Sequence, residues 1–233
     1  MSARILKPEL MDDPQLEESK LTAALQDVTL VNKWLGGQQI TLDGIAYFFK
    51  RYPQNCYKIA DMGCGDGEML RKMVLFCRKR GINARFIGFD LNTKSIAMAQ
   101  ERSVDFPEIS FRQQDILKLT EKEEDFDIIT TTLTMHHFTD AEILKFLNCF
   151  KKCSTLGWVV NDLQRSNLAA VLFRGFSGVF MKTEIARYDG LVSIGRGFKK
   201  KELITFAKKL GLKHYKLHWR WAFRYLWIAD SKA

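Results

Sequence analysis

Three carboxylates crowd one short glycine turn. The stretch IADMGCGDGEML, residues 59 to 70, runs from an apolar segment through Gly63, Gly65 and Gly67 into a helix-like one, with Asp61 before the turn, Asp66 inside it and Glu68 after it. Such a turn between strand and helix offers backbone N–H groups to a dinucleotide, a nucleoside triphosphate or a nucleoside without phosphate. The Lys and Ser or Thr that hold a triphosphate are missing, because Glu68 and Met69 follow Gly67. The Gly63-x-Gly65-x-Gly67 spacing departs from the dinucleotide pattern, and three negative charges would repel a pyrophosphate. A cationic ligand fits better. Asp90, in GFDLN and 23 residues beyond Gly67, stands where an acid accepts both hydroxyls of a ribose. Asp115, in RQQDIL after the next strand signal, can accept from an adenine amino group, with Ile116 offering its amide. A nucleoside carrying positive charge satisfies all three positions.

Alternating strands and helices must bring these residues together. Apolar positions at helical spacing predict an N-terminal helix over 14–35, stopping at Gly36-Gly37, and a second from Thr41 to Tyr52. Strand signals follow at 57–62, 84–89, 109–112, 126–133 and 157–163, with helices between them. Thr139-Asp-Ala-Glu142 reads as a capping box opening the helix to Phe150. A helix is expected over 167–176, a loop with at most a short helix over 177–197, an amphipathic helix over 199–210, and two closing strands antiparallel to each other. This order implies an α/β chain with a mostly parallel sheet covered on both faces, its ligands at the carboxyl ends of the strands. Residues 1–55 form an N-terminal helical cap region, and 56–233 the core of what is one domain overall.

Composition agrees with that outline. The chain has 233 residues and 46% hydrophobic content, enough to bury a full core. Its N-terminus is charged where a signal peptide would be apolar, and no segment approaches a membrane span, so a cytoplasmic protein is expected. Five cysteines lack paired metal-site spacings, and Cys149 and Cys153 are read as packing residues; no metal is expected. From Ile194 onward eleven Lys and Arg face two acids, a surplus equal to the whole net charge of +9. That tail suits a nucleic acid, an anionic surface or an acidic carrier protein, or is the solvated face of a helix.

The sequence resembles the class I S-adenosylmethionine-dependent methyltransferases. DMGCGDG is similar to the family's first motif, GFDLN to its ribose acid, RQQDIL to its adenine segment, and DFDIITTTLTMHHFTDAEI to its fourth strand and the helix after it. The resemblance implies a Rossmann-like seven-stranded sheet, its last strand antiparallel, with S-adenosylmethionine as cofactor and S-adenosylhomocysteine as product. It places Gly63, Cys64 and Gly65 beside the methionine portion, Asp61 near the ammonium, Asp90 on the ribose, Leu91 on an adenine face, Asp115 and Ile116 on its edge, and Leu133 near the amino acid. The NPPY-type tetrad of many nucleic-acid and protein amide N-methyltransferases is absent, and Thr134-Met135-His136-His137-Phe138 stands in its place. This resembles the small-molecule branch that includes quinone and polyketide methyltransferases.

The chemistry implied is displacement at a sulfonium methyl by an acceptor lone pair, with positioning supplying most of the rate. For a phenolic acceptor an imidazole at the mouth of strand four can take the proton, which makes His136 and His137 the candidate bases. Either can instead pack as core. Asp162 and Arg165, in VVNDLQRS, face the same crevice or form a solvated turn. Phe173, Phe176, Phe180 and Met181 can roof an apolar acceptor. The leading expectation is O-methylation of a small aromatic or polyketide-like molecule, free or carrier-bound. The alternatives are an RNA or protein methyltransferase using the basic tail, a C-methyltransferase of a quinone-type substrate, and a non-catalytic cofactor-binding protein.

Overall fold

The computed structural model describes residues 1, 3–13, 15–119 and 125–232. Pro14, where the first helix was expected to begin, lies outside them. Seven strands form one sheet: β1 (Tyr57–Met62), β2 (Ala84–Asp90), β3 (Ile109–Gln113), β4 (Phe126–Thr132), β5 (Ser154–Leu163), β6 (Tyr215–Arg220) and β7 (Arg224–Asp230). Their order is β3-β2-β1-β4-β5-β7-β6. Neighbours from β3 through β5 are parallel, whereas β7 runs antiparallel to both β5 and β6. The expected topology is therefore present.

The central strands read as continuous apolar runs because both of their faces are covered. Ile59, Ile128, Val159 and Leu226 point into one core with Ile45, Phe48, Leu70 and Met73 from helices α2 (Gly37–Arg51) and α3 (Glu68–Arg78). Their sequence neighbours Ala60, Ile129, Trp158 and Trp227 point into the other, against Phe146, Phe150 and Phe206. Those phenylalanines lie on helices later in the chain, the first two on Asp140–Cys153 and the third on Lys200–Lys209. The intervening helix α4 (Thr93–Arg102) adds Ile96 to the first core, and α5 (Asp140–Cys153) opens on the expected capping box at Thr139.

A third, smaller cluster lies above the carboxyl ends of the strands. It joins Ala24 and Val31 of α1 (Glu18–Trp34) to Phe173 and Phe176 of α6 (Asn167–Phe180) and Ala186 of α7 (Glu184–Arg196). The last helix, α8 (Lys200–Lys209), belongs to the layer under the sheet.

Three expectations about elements need correction. The stretch 177–197 is not mostly loop: α6 continues to Phe180, and α7 is a regular helix of 13 residues. Helical periodicity is hidden in α7 because its buried positions include Asp189 and Arg196, which meet polar partners rather than a core, and Gly195, which packs against Ile5 with no side chain to mark the period. The second helix starts at Gly37 rather than Thr41, since Gly36 takes a left-handed φ of 69° and lets α1 turn directly into α2. Strand β4 ends one residue early, where Leu133 adopts a φ of 56° at the mouth of the crevice.

Candidate active site

The ends of β1, β2 and β4 open into one cavity of about 970 Å³. The glycine turn forms its floor. Gly63 and Cys64 donate their amides to the Phe89 carbonyl, tying the turn to β2 at 2.8 and 3.0 Å. Gly63 has a φ of 76°, and a Cβ there would sit 2.4 Å from the Thr134 side chain, so neither backbone nor space admits another residue. Gly67 caps α3 at a φ of 76°.

Asp90 closes the turn from the β2 side. Its Oδ2 accepts from Gly65 N at 2.9 Å and its Oδ1 from Asn92 N at 2.9 Å. Asp115 accepts from Leu117 N at 3.0 Å, and Ile116 behind it is buried. All nine residues expected to hold the nucleoside, Asp61, Gly63, Cys64, Gly65, Asp90, Leu91, Asp115, Ile116 and Leu133, line the cavity. Leu91 is two-thirds exposed, a flat apolar surface open to a ring.

Not all three carboxylates of the turn face a ligand. Asp66 is ion-paired with Arg102 and Arg71, and Glu68 with Arg71 and Lys72 at 3.0 and 3.5 Å. Asp61 differs. Its side chain accepts from Thr130 Oγ1 at 2.8 Å, and no cation pairs with it among the described residues. Burial pushes its pKa up to about 7, with the Asp90 charge adding to the effect and the Thr130 hydrogen bond opposing it.

His136 and His137 stand on a single 3-10 turn just past Leu133, and both line the cavity. His136 is 2% exposed, with Nδ1 2.7 Å from Asp162 Oδ1 and Nε2 3.4 Å from Glu9 Oε1. Burial alone would lower its pKa, but Asp162 and then Glu9 outweigh it and hold the imidazole at about 9. Glu9 shows the reverse: burial would raise it, yet His136, His137 and the Ser193 hydroxyl bring it down to about 2. His136 is thus an imidazolium clamped between two carboxylates at neutral pH. His137 is more open, its Nδ1 3.0 Å from Asp12 Oδ2 and its Nε2 3.7 Å from Glu9 Oε2. Glu9, His136 and His137 bring three potential ligand atoms within 4.8 Å of one another, a spacing that ion pairing already explains.

Sequence reasoning missed Glu9, Asp12 and the contacts that place them, because residues 1 to 13 carry no period. Arg4 donates to the His136 and Phe138 carbonyls at 3.0 and 2.8 Å, and Arg196 to those of His136 and His137. Asp189 accepts the Leu10 and Met11 amides at 2.7 and 2.9 Å. The N-terminal segment is a strap laid across the histidine turn.

The residues expected to meet the acceptor divide. Phe173, Phe176 and Met181 line the cavity, joined by Leu21, Val28 and Leu35 of α1. Phe180 instead packs edge-on against Trp34, ring centroids 5.3 Å apart, and is not in the lining. Asp162 stands behind His136 as its partner. Arg165 points the other way, donating to the Gly197 carbonyl at 2.6 Å and pairing with Glu202 at 2.5 Å, so it fastens β5 to α8 and does not reach the cavity.

Residues 59–155 match the family model described as a methyltransferase domain. That segment holds the glycine turn, Asp90, Asp115 and the histidine turn, and it is similar to a methyltransferase domain. The chain is 36% identical over 90 residues to an indolepyruvate C-methyltransferase of Streptomyces griseus, a stretch covering 36% of this chain and 26% of that protein. The match thus spans about a quarter of the relative's length. Among solved structures, the plantazolicin methyltransferase in complex with S-adenosylhomocysteine superposes with a TM-score of 0.67 at 14% identity, over 91% of this chain and 95% of that one. Magnesium protoporphyrin IX methyltransferase from Synechocystis PCC 6803, with the same product bound, gives 0.58 at 16% identity, covering 86% of both chains. At such identities the likeness is one of fold.

The residues of the cavity fit S-adenosylmethionine. A buried carboxylate with no cation beside it among the described residues, Asp61, matches the methionyl ammonium, and Gly63, with no side chain, lets the turn pack against Thr134 at the cavity floor. Asp90 keeps lone pairs on both oxygens for ribose hydroxyls. Among the described residues no helix is long and apolar enough to cross a membrane. The exposed lysines of α8 and β6 do not line the cavity.

Proposed function

We propose that the protein is a class I S-adenosylmethionine-dependent methyltransferase that transfers a methyl group to oxygen on a small, largely apolar aromatic or polyketide-like acceptor. The observation that carries the reading is the continuity of the cavity, which runs from the acids of the glycine turn, past His137, to the apolar walls of α1, α6 and α7. Bound S-adenosylmethionine supplies an electrophilic methyl group. Residues 1–55 act as the roof: the strap and α1 close over the histidine turn, while α2 belongs by its packing to the sheet.

His137 is assigned as the base. With Asp12 3.0 Å from Nδ1, the neutral form of His137 keeps its proton there and carries its lone pair on Nε2. His136, already protonated between Glu9 and Asp162, is a positioning residue that fixes the turn. With a neutral phenol as acceptor, His137→Ala is expected to lower turnover about 10²-fold with cofactor affinity unchanged, and raising the pH toward the phenol's own pKa of about 10 should restore part of it. Full turnover on a neutral phenol would remove His137 from the site.

Carbon methylation is the second reading, favoured by the curated relative's activity. The same base would then form an enolate rather than a phenolate. Methyl-labelled cofactor, incubated with an extract and followed by carbon NMR of the product, distinguishes the two: an O-methyl carbon resonates well downfield of a C-methyl one. No labelled product from any extract would leave a binding protein. The exposed lysines of α8 lie outside the cavity lining, which weighs against the nucleic-acid and protein acceptors their charge suggested. An acidic carrier presenting the acceptor remains compatible with that surface.

A further inference from the structure

Among the described residues, one buried cation has neither an ion pair nor a full set of hydrogen bonds. Arg224 opens β7, paired with Leu163 at the last position of β5, so it stands at the strand ends where the cavity lies. The residue is 3% exposed. Its guanidinium lies flat against Gly37, where a Cβ would come within 2.8 Å of Cζ. Nη2 donates to Asn32 Oδ1 at 2.6 Å, and neither Nε nor Nη1 has a hydrogen-bond partner among the described residues.

Other buried arginines of the chain are satisfied differently. Arg165 holds Glu202, and Arg196 spends its donors on the carbonyls of Lys7, His136 and His137. The acid whose charge reaches Arg224 is Asp162, but its oxygens are taken by His136 and by the Leu163 amide. Burial consequently pulls the guanidinium down to about 10. A buried charge kept unpaired costs stability that packing alone would not repay. Such a group is retained where a ligand brings the counter-charge.

We propose that Arg224, with Asn32, receives a carboxylate on the methyl acceptor, so that the substrate is an aromatic or polyketide-like acid. This rests on the reading of the cavity as an acceptor site. Asn32, which also lines the cavity, now offers its amide oxygen where a carboxylate oxygen would sit, and by turning over its amide it would donate to the same group. A guanidinium presents two parallel N–H donors to a carboxylate, which fixes orientation as well as charge. Apolar walls from α1 and α6 then hold the ring. The carboxylate could also be the methionyl one of the cofactor, but the residues that fit the cofactor stand at the ends of β1, β2 and β4, whereas Arg224 stands beyond β5.

The test uses the full chain saturated with S-adenosylhomocysteine and two probes of one shape, 2-naphthoate and 2-naphthamide, titrated by calorimetry. The parent is expected to bind the acid at least tenfold more tightly than the amide. Arg224→Met should abolish that preference, leave S-adenosylhomocysteine affinity within twofold, and raise the thermal midpoint of the ligand-free protein. Arg224→Gln, which keeps the contact to Asn32, should lose the preference too, and serves if the Met variant does not fold. The proposal is overturned if the parent binds both probes alike or binds neither, or if the preference survives in the variants. It is also overturned if S-adenosylhomocysteine affinity falls tenfold, which would assign Arg224 to the cofactor. The acceptor reading itself fails separately, through the absence of any labelled product from an extract.

Discussion

Asp61 is a carboxylate held in the wrong state for the empty protein and the right one for its ligand. Its neighbours offer a single hydroxyl, and burial lifts its pKa to about 7, so near neutrality it is half protonated until a cation arrives. Pairing with the methionyl ammonium should lower that pKa, and binding must then release a proton. Cofactor affinity is expected to fall about tenfold between pH 8 and pH 6, and calorimetry in buffers of different ionisation enthalpy should register the proton. For stability the sign is opposite. A folded pKa raised above the ordinary 3.8 means that the folded state holds its proton more tightly, and stability drains away as pH rises from about 4 to about 7. Asp61→Asn should therefore bind cofactor weakly at every pH yet melt higher than the parent at pH 8. A lower melting point would make the carboxylate a structural residue.

At the scale of elements, the strap over the histidine turn is fastened by ionisable groups, which gives it a pH window. The raised pKa of His136 contributes stability that is complete below its ordinary 6.5 and lost as pH rises through about 9. The depressed pKa of Glu9 contributes stability that is complete above its ordinary 4.5 and lost as pH falls toward about 2. The strap is held most firmly between those ordinary values, near pH 4.5 to 6.5. Tryptic cleavage after Arg4, normalised to that of the unfolded chain, should accelerate as pH rises from about 6.5 to about 9, and Glu9→Gln should already show the fast rate at the lower end of that window. Equal rates in both proteins would show that Arg4, Arg196 and Asp189 suffice. The same element shows why the site was only half legible in the sequence. The nucleoside-binding residues follow from strand ends and glycine spacing, both of which are local patterns. Glu9, Asp12, Asn32 and Arg224 reach the cavity from distant segments, Asn32 and Arg224 meeting across 192 residues of chain, and no local pattern marks them. Arg165 misled for a related reason: a charge at a strand end looks the same whether it turns to the crevice or to α8.

Across the whole molecule, the two layers around the sheet and the cap above it differ in how they are held. The sheet cores bury Phe48, Phe86, Phe146, Phe150, Trp158 and Trp227 almost completely, and β1, β4 and β5 each have a strand on either side. The cap cluster buries small or flexible residues such as Ala24, Val31, Met181 and Ala186, and its tightest ties are polar, with Asp27 accepting from Lys182 N, Thr183 N and Thr183 Oγ1 at 2.7 to 2.9 Å. Fewer buried apolar contacts mean a lower cost of local opening. Amide exchange should then show two tiers: β1, β4 and β5 exchanging only by global unfolding, and α1, α6 and α7 exchanging together through a smaller opening. On the proposed reading, opening of the cap is also the acceptor's entry path. Ligand should accordingly slow exchange in the cap far more than in β4 or β5. If α1, α6 and α7 exchange no faster than the strands, the cap opens only with the whole fold, and the acceptor must instead reach the cavity through the mouth beside Leu91.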